Sequence, residues 1–153
     1  MGARGGGLAR SDGAPVDVAY ALPGERVRAD VKSGRGRLTD VLEAAPDRVL
    51  PKCPHFGRCG GCLLQHWSQP AYARWKRQLV VDALSRKGLG DIEVMPLVDA
   101  HGAGRRRVTL TVVGGKAGFA AHRSHDHVPL VTCPVLVPPL GQDTKIAVRL
   151  VQA

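Results

Sequence analysis

Four cysteines set the narrowest limits on what this chain can build. Cys53, Cys59 and Cys62 stand in the spacing C-x5-C-x2-C, and the remaining one, Cys133, follows about 70 positions later. The run that holds the first three, PKCPHFGRCGGCLLQH from Pro51 to His66, is too rich in Gly, Pro and Cys for a helix or a strand. Buried free thiols are common in cores, but a glycine-rich loop with few apolar side chains is a poor core. Three thiols within ten residues, joined by a distant fourth, fit a metal centre better.

A disulfide framework is the weaker explanation. No apolar stretch approaches the roughly 20 residues of a membrane span, because the best run, Leu130 to Leu140, is broken by three prolines. The opening MGARGGGLAR has no apolar core for a secretory signal. The chain is therefore expected to be a soluble cytoplasmic protein with no membrane partner, and in that compartment thiols stay reduced.

The ligand spacing leaves the metal open between two choices. Structural zinc usually takes two short Cys/His pairs, and here only Cys59 and Cys62 make such a pair. Iron–sulfur clusters accept uneven three-plus-one sets, because each thiolate binds a different iron. Gly60 and Gly61 between two ligands let the backbone wrap close to a bulky inorganic core. The x5 gap also departs from the C-x3-C-x2-C of radical S-adenosylmethionine enzymes. Four thiolates close all positions, which suits a structural or RNA-positioning role over direct chemistry. Zinc stays a competitor at this stage.

Composition places the rest. Hydrophobic residues make up 44% and charged residues 23%, a globular balance. Gly and Pro are abundant (19 and 11 of 153 residues) while aromatics are only 4%, which favours short strands and many turns. The expected class is α+β, mainly β. The net charge is +9, and residues 52–90 carry seven basic side chains against one acid, Asp82. A polyanion, most simply a nucleic acid, is the natural partner for such clustering. A merely solvated basic surface is the bland alternative.

Along the chain, three segments are expected. Residues 1–50 alternate over Val16–Tyr20, Glu25–Val31 and Arg37–Leu42, with turn signals at Ser11-Asp12-Gly13, Pro23-Gly24 and Ser33-Gly34. Strands this short bury enough surface only by curling into a small barrel. Its first strand is expected to be short or missing, because Met1 is followed almost at once by Gly5-Gly6-Gly7. Residues 51–90 hold the cysteine loop and one amphipathic helix, capped near Ser68 or Gln69, with Pro70 in its first turn and a stop at Gly88. Tyr72, Trp75, Leu79 and Ala83 recur at helical spacing on its packed face. Residues 91–153 form a small central domain with a hairpin, Val108–Val113 and Ala117–His122 around Gly114-Gly115. Ile146 to Val151 begins a helix.

The stretch APDRVLPKCPHFGRCGGCLLQH, residues 45–66, closely resembles the bacterial RNA 5-methyluridine methyltransferase family, the 23S rRNA uracil-C5 methyltransferases. ALPGERVRADV and GRLTDVLEAAPDR are similar to that family's N-terminal TRAM domain, an OB-like RNA-binding barrel. RRRVTL and GKAGFAAHRSHDHVPLVTCPVLVP are similar to its small central domain, whose Cys-Pro supplies the last cluster ligand. The resemblance covers most of residues 2–140. It implies that Cys53, Cys59, Cys62 and Cys133 ligate a [4Fe–4S] cluster and that the partner is RNA, with 23S rRNA the expected one.

One family feature is missing. Members continue into a Rossmann-like domain that binds S-adenosylmethionine, attack uracil C6 with a cysteine and use a glutamate as base. This chain has no strand followed by a glycine-rich turn opening a helix, and no cysteine beyond the four. The expectation is an N-terminal, monomeric portion that binds RNA and a cluster but has no catalytic residues. S-adenosylmethionine would enter only through a catalytic domain absent here. RNA contacts are expected at Arg35, Arg37, Lys52, Arg58, Lys76 and Arg77 through phosphates, and at Phe56 and Trp67 through base stacking. Tyr72 and Trp75 read as packing residues, and His122, His125 and His127 as surface histidines. Arg105-Arg106-Arg107 precedes a strand and would contact RNA or guard a sheet edge. A stand-alone RNA-binding iron–sulfur module and a zinc-stabilised adaptor for protein are the competing functions.

Overall fold

The computed structural model describes residues 1–99, 104–142 and 145–152. The chain divides into two compact units, Met1–Leu50 with His66–Val98 and Pro51–Gln65 with Asp99–Ala153. Contacts thus partition it differently from the three sequence segments. The cysteine loop goes with the C-terminal unit, and the basic helix goes with the barrel strands.

The first unit is built on a four-stranded sheet of β1 (Gly7–Ser11), β2 (Ala14–Ala19), β3 (Arg26–Lys32) and β4 (Arg35–Glu43) in the order β1-β2-β4-β3. The outer pairs are antiparallel, β2 and β4 run parallel, and the sheet curls into an OB-like half-barrel. Asp12 and Gly13 (φ 49° and 81°) and Ser33 and Gly34 (φ 50° and 71°) make the two-residue turns, whose left-handed backbone matches strand twist. Val16 and Val18 alternate inward from β2 and form the core with Ala21, flanked by Ala9, Val27, Ala29 and Leu38.

The first strand is short, five residues, but not missing. It pairs with β2 at five positions from Gly7↔Val18 to Ser11↔Ala14. The glycine run permits close packing here: a Cβ on Gly7 would lie 2.9 Å from the Cβ of Ala21. A propensity argument counts those glycines as strand breakers, whereas tertiary contact uses their missing side chains.

Helix α1 (Gln69–Ser85) has Pro70 in its first turn and ends before Gly88, whose φ is 74°. Ser68 precedes it but caps nothing with its side chain. Its Oγ donates instead to Asp47 Oδ1 at 2.7 Å, tying the helix start to the chain beyond β4.

The second unit carries an antiparallel sheet β5 (Thr111–Val113), β6 (Lys116–Ala120) and β7 (His127–Pro129), with Gly114 and Gly115 (φ 53° and 71°) at the first turn. The hairpin lies where the sequence put it, but β5 begins at Thr111 instead of Val108, and the return strand ends at Ala120 instead of His122. The short β7 has no counterpart among the expected elements, since three residues around His127 carry no usable period. Two short helices follow, α2 (Pro138–Gln142) and α3 (Lys145–Gln152), and α3 packs on β5 and β6. The core is Cys59, Val128, Leu130, Cys133 and Leu136, with Val108, Leu110 and Phe119 packed against it. Among the described residues no helix is long and apolar enough to cross a membrane.

Candidate functional site

All four cysteines lie in the second unit, and all four line one cavity of about 300 Å³. Cys53, Cys59 and Cys62 reach it from the loop, and Cys133 from the segment after β7. Cys59 and Cys133 are buried, Cys53 and Cys62 half-buried, and none is in a disulfide. Phe56, Phe119, Leu130, Val135 and Leu136 make the apolar part of the wall, and Arg105 and Arg107 the charged part. Among the described residues no carboxylate lines it.

The loop holds its shape through its own backbone. The Phe56 N–H donates to the Cys53 carbonyl at 3.1 Å, and the Cys59 N–H to the His55 carbonyl at 2.9 Å. Gln65 Oε1 accepts from the Cys53 N–H at 3.2 Å. The Gly61 N–H donates to Cys59 Sγ at 3.4 Å, a contact that favours a thiolate there.

Two further contacts join the loop to the rest of the unit. Cys59 bridges to Ala121, and the Gly60 N–H donates to the Ala120 carbonyl at 2.9 Å. A Cβ on Gly60 would stand 2.9 Å from that oxygen, so only glycine lets the loop lie this close to the end of β6. His55 Nε2 accepts from the Val131 N–H at 3.2 Å, two residues before Cys133. His55 and Gln65 therefore position the ligand loop, roles the sequence reading did not assign although both stand inside the motif.

Burial pushes the Cys59 and Cys133 thiols up from their ordinary range. At Cys133 the neighbouring Cys62, Cys53 and Cys59 add to the rise, so all four sulfurs lie within electrostatic reach of one another. Among the described residues, no three His, Cys, Asp or Glu side chains converge tightly enough to grip a single ion as they stand.

The residues expected to meet RNA are divided between the units. Lys52 and Arg58 are exposed on the cysteine loop, while Phe56 is half-buried in the cavity wall. Arg35 and Arg37 open strand β4, both exposed, and Arg37 is ion-paired with Asp30 across the β3–β4 ladder. In the first unit Trp67 packs on Trp75, ring centroids 5.6 Å apart, so it is a packing residue as much as Trp75 is. Lys76 Nζ sits over the rings of Tyr72 and Trp75 at 5.9 and 5.7 Å, and Arg77 Nε donates to the Val94 carbonyl at 2.8 Å. Of the three histidines, His125 is exposed, whereas His127 is half-buried in β7 with Nε2 3.1 Å from the Thr111 carbonyl.

The basic stretch 52–90 is divided between the two units. Counted by unit, the second carries nine Lys and Arg against three Asp, and the first thirteen against ten acids. The excess is concentrated on the unit that holds the thiols.

No family model matches the chain. Proteins named RNA methyltransferases are similar to it over nearly its whole length. It is 44% identical over 142 residues to an uncharacterized RNA methyltransferase of Brucella suis, covering 90% of this chain and 34% of that protein. With an uncharacterized RNA methyltransferase of Caulobacter vibrioides the identity is 42% over 159 residues, 99% of this chain and 38% of the relative. The 23S rRNA (uracil(1939)-C(5))-methyltransferase RlmD of Halomonas elongata is 42% identical over 149 residues, 90% of this chain and 31% of its own length. The resemblance read from the cysteine motif is thereby borne out: the chain is homologous to part of these RNA methyltransferases. It spans about a third of the length of the curated relatives it matches.

Proposed function

We propose that this chain is the RNA-engaging, cluster-holding portion of an RNA (uracil-C5) methyltransferase acting on 23S rRNA in the cytoplasm. Cys53, Cys59, Cys62 and Cys133 hold a [4Fe–4S] cluster, and the half-barrel is a TRAM-like RNA-binding module. The observation that carries this reading is the convergence of four thiols, from segments about 70 residues apart, on one cavity of about 300 Å³.

The residues present fit such a group. Structural zinc usually takes two short Cys/His pairs, whereas iron–sulfur clusters accept the uneven three-plus-one thiolate set that lines this cavity. The donor set is all thiolate, no carboxylate lines the wall among the described residues, and the glycine pair leaves room at the loop. When bound, the cluster supplies a rigid inorganic anchor with every iron closed by a cysteine. The residues of this chain then orient the loop: His55 ties it to the Cys133 segment, Gln65 fixes Cys53, and Gly60 docks it against β6. With all four cysteines so engaged, methyl transfer and S-adenosylmethionine binding are assigned to the unmatched part of a protein of the relatives' length.

Anaerobic purification with iron and acid-labile sulfide analysis tests the reading. About four of each per chain, with a broad absorption near 400 nm, is the expected outcome. One zinc and no sulfide would overturn it in favour of the zinc-stabilised adaptor. Fluorescence anisotropy with a 23S rRNA fragment should show binding by the same preparation, without methylation of the uracil.

A further inference from the structure

The cavity wall carries two cations that the cysteine motif does not account for. Arg105 and Arg107 line the cavity and Arg106 does not, the alternation expected of extended backbone. The segment is held in register with the chain just after Cys133. The Arg105 N–H donates to the Val135 carbonyl at 2.9 Å, the Val137 N–H donates to the Arg105 carbonyl at 3.0 Å, and Arg105 bridges to Leu136. Both residues are exposed while lining the cavity. Among the described residues neither has a carboxylate partner.

We infer that Arg105 and Arg107 are the charge partners of the group held by the four thiolates, setting its reduction potential and helping to retain it. This rests on the cluster reading above. Four thiolates and their cluster form a net anion, half of whose cysteines are buried. Burial disfavours charge unless a counter-charge is near, and among the described residues of the wall these two supply it. A cation beside a cluster stabilises the more negative, reduced state, so it raises the potential. The guanidinium cannot lose its proton, so the charge is permanent.

The test uses the full chain, purified without oxygen, as wild type and as Arg105→Gln, Arg107→Gln, the double variant, and Arg106→Gln as a same-charge control outside the cavity. The midpoint potential of the cluster is followed by electron paramagnetic resonance, and cluster loss to a chelator by absorbance. Each cavity-lining variant should shift to a more negative potential, the double variant furthest, with chelator loss several-fold faster. Arg106→Gln should stay near wild type, and Arg105→Lys with Arg107→Lys should recover most of the potential. Equal shifts in Arg106→Gln and the cavity variants, or none in the loaded double variant, would overturn the assignment while leaving the cluster intact. A wild-type protein that assembles no iron and sulfide would remove the cluster reading and this inference with it.

Discussion

At the scale of single residues, the most consequential group outside the cavity is a buried ion pair in the first unit. The Glu25 side chain is fully buried, and Arg48 meets it with two guanidinium nitrogens, one at 2.7 Å, while also donating to the Tyr20 carbonyl at 2.9 Å. Burial alone would raise the Glu25 carboxyl. The Arg48 bonds and the N–H groups of Leu22 and Ala45 outweigh it and hold the carboxyl below its ordinary value. Removing one partner leaves a buried, uncompensated charge, so Arg48→Ala should cost about 3 kcal/mol in urea unfolding. His66 lies beside this pair, 1% exposed, with its ring edge-on to Tyr20. Burial first, then the Arg48 charge, push it down to about 4. Unfolded histidine binds its proton near pH 6.5 while the folded ring stays neutral, so stability falls as pH drops from about 6.5 towards 4. Unfolding free energies between pH 7 and 5 should show a loss of up to about 1.4 kcal/mol per pH unit that His66→Gln largely abolishes.

At the scale of elements, the cysteine loop depends on how closely it lies against the sheet. Gly60→Ala would drive a methyl into the Ala120 carbonyl, at 2.9 Å before relaxation. The expected cost is about 1–3 kcal/mol, with faster reaction of the buried Cys59 and Cys133 thiols towards a disulfide reagent in the metal-free protein. In the half-barrel, Gly36 plays the equivalent part under β2, where a Cβ would stand 2.7 Å from Val18 Cγ2. Gly36→Ala should lower stability by a similar amount without changing thiol reactivity, because the two glycines belong to different units.

For the molecule as a whole, charge is the property that its proposed partner would feel. The unit with the thiols holds nine basic residues against three acids. Neutralised phosphates release counterions, so the logarithm of RNA affinity should fall linearly with the logarithm of salt concentration. Lys52→Ala with Arg58→Ala should flatten that slope by about two. Arg37→Ala should change it less, since Asp30 already engages that guanidinium. A filter-binding titration from low to high salt measures both.

Local chemistry made much of this protein readable in one dimension. The Asp-Gly, Ser-Gly and Gly-Gly turns, the Pro70 start and Gly88 stop of α1, and the relation of the cysteine motif to RNA methyltransferases all follow from residues a few positions apart. Their backbone demands are satisfied within the turn or cap itself. What depended on distant contacts was not readable. Strand β1 can pair because Gly7 packs against Ala21, β7 because β6 offers it an edge, and Trp67 is a packing residue because a helix brings Trp75 to it. The basic stretch that looked continuous divides between two units, since its boundary is drawn by which core each half joins. Likewise the spacing named four ligand candidates, yet their meeting at one cavity, with Arg105 and Arg107 in its wall, required burial of Cys59 and Cys133 among side chains scattered from Val108 to Leu136. Short-range stereochemistry is written into neighbouring residues, whereas convergence is a collective result of hydrophobic burial.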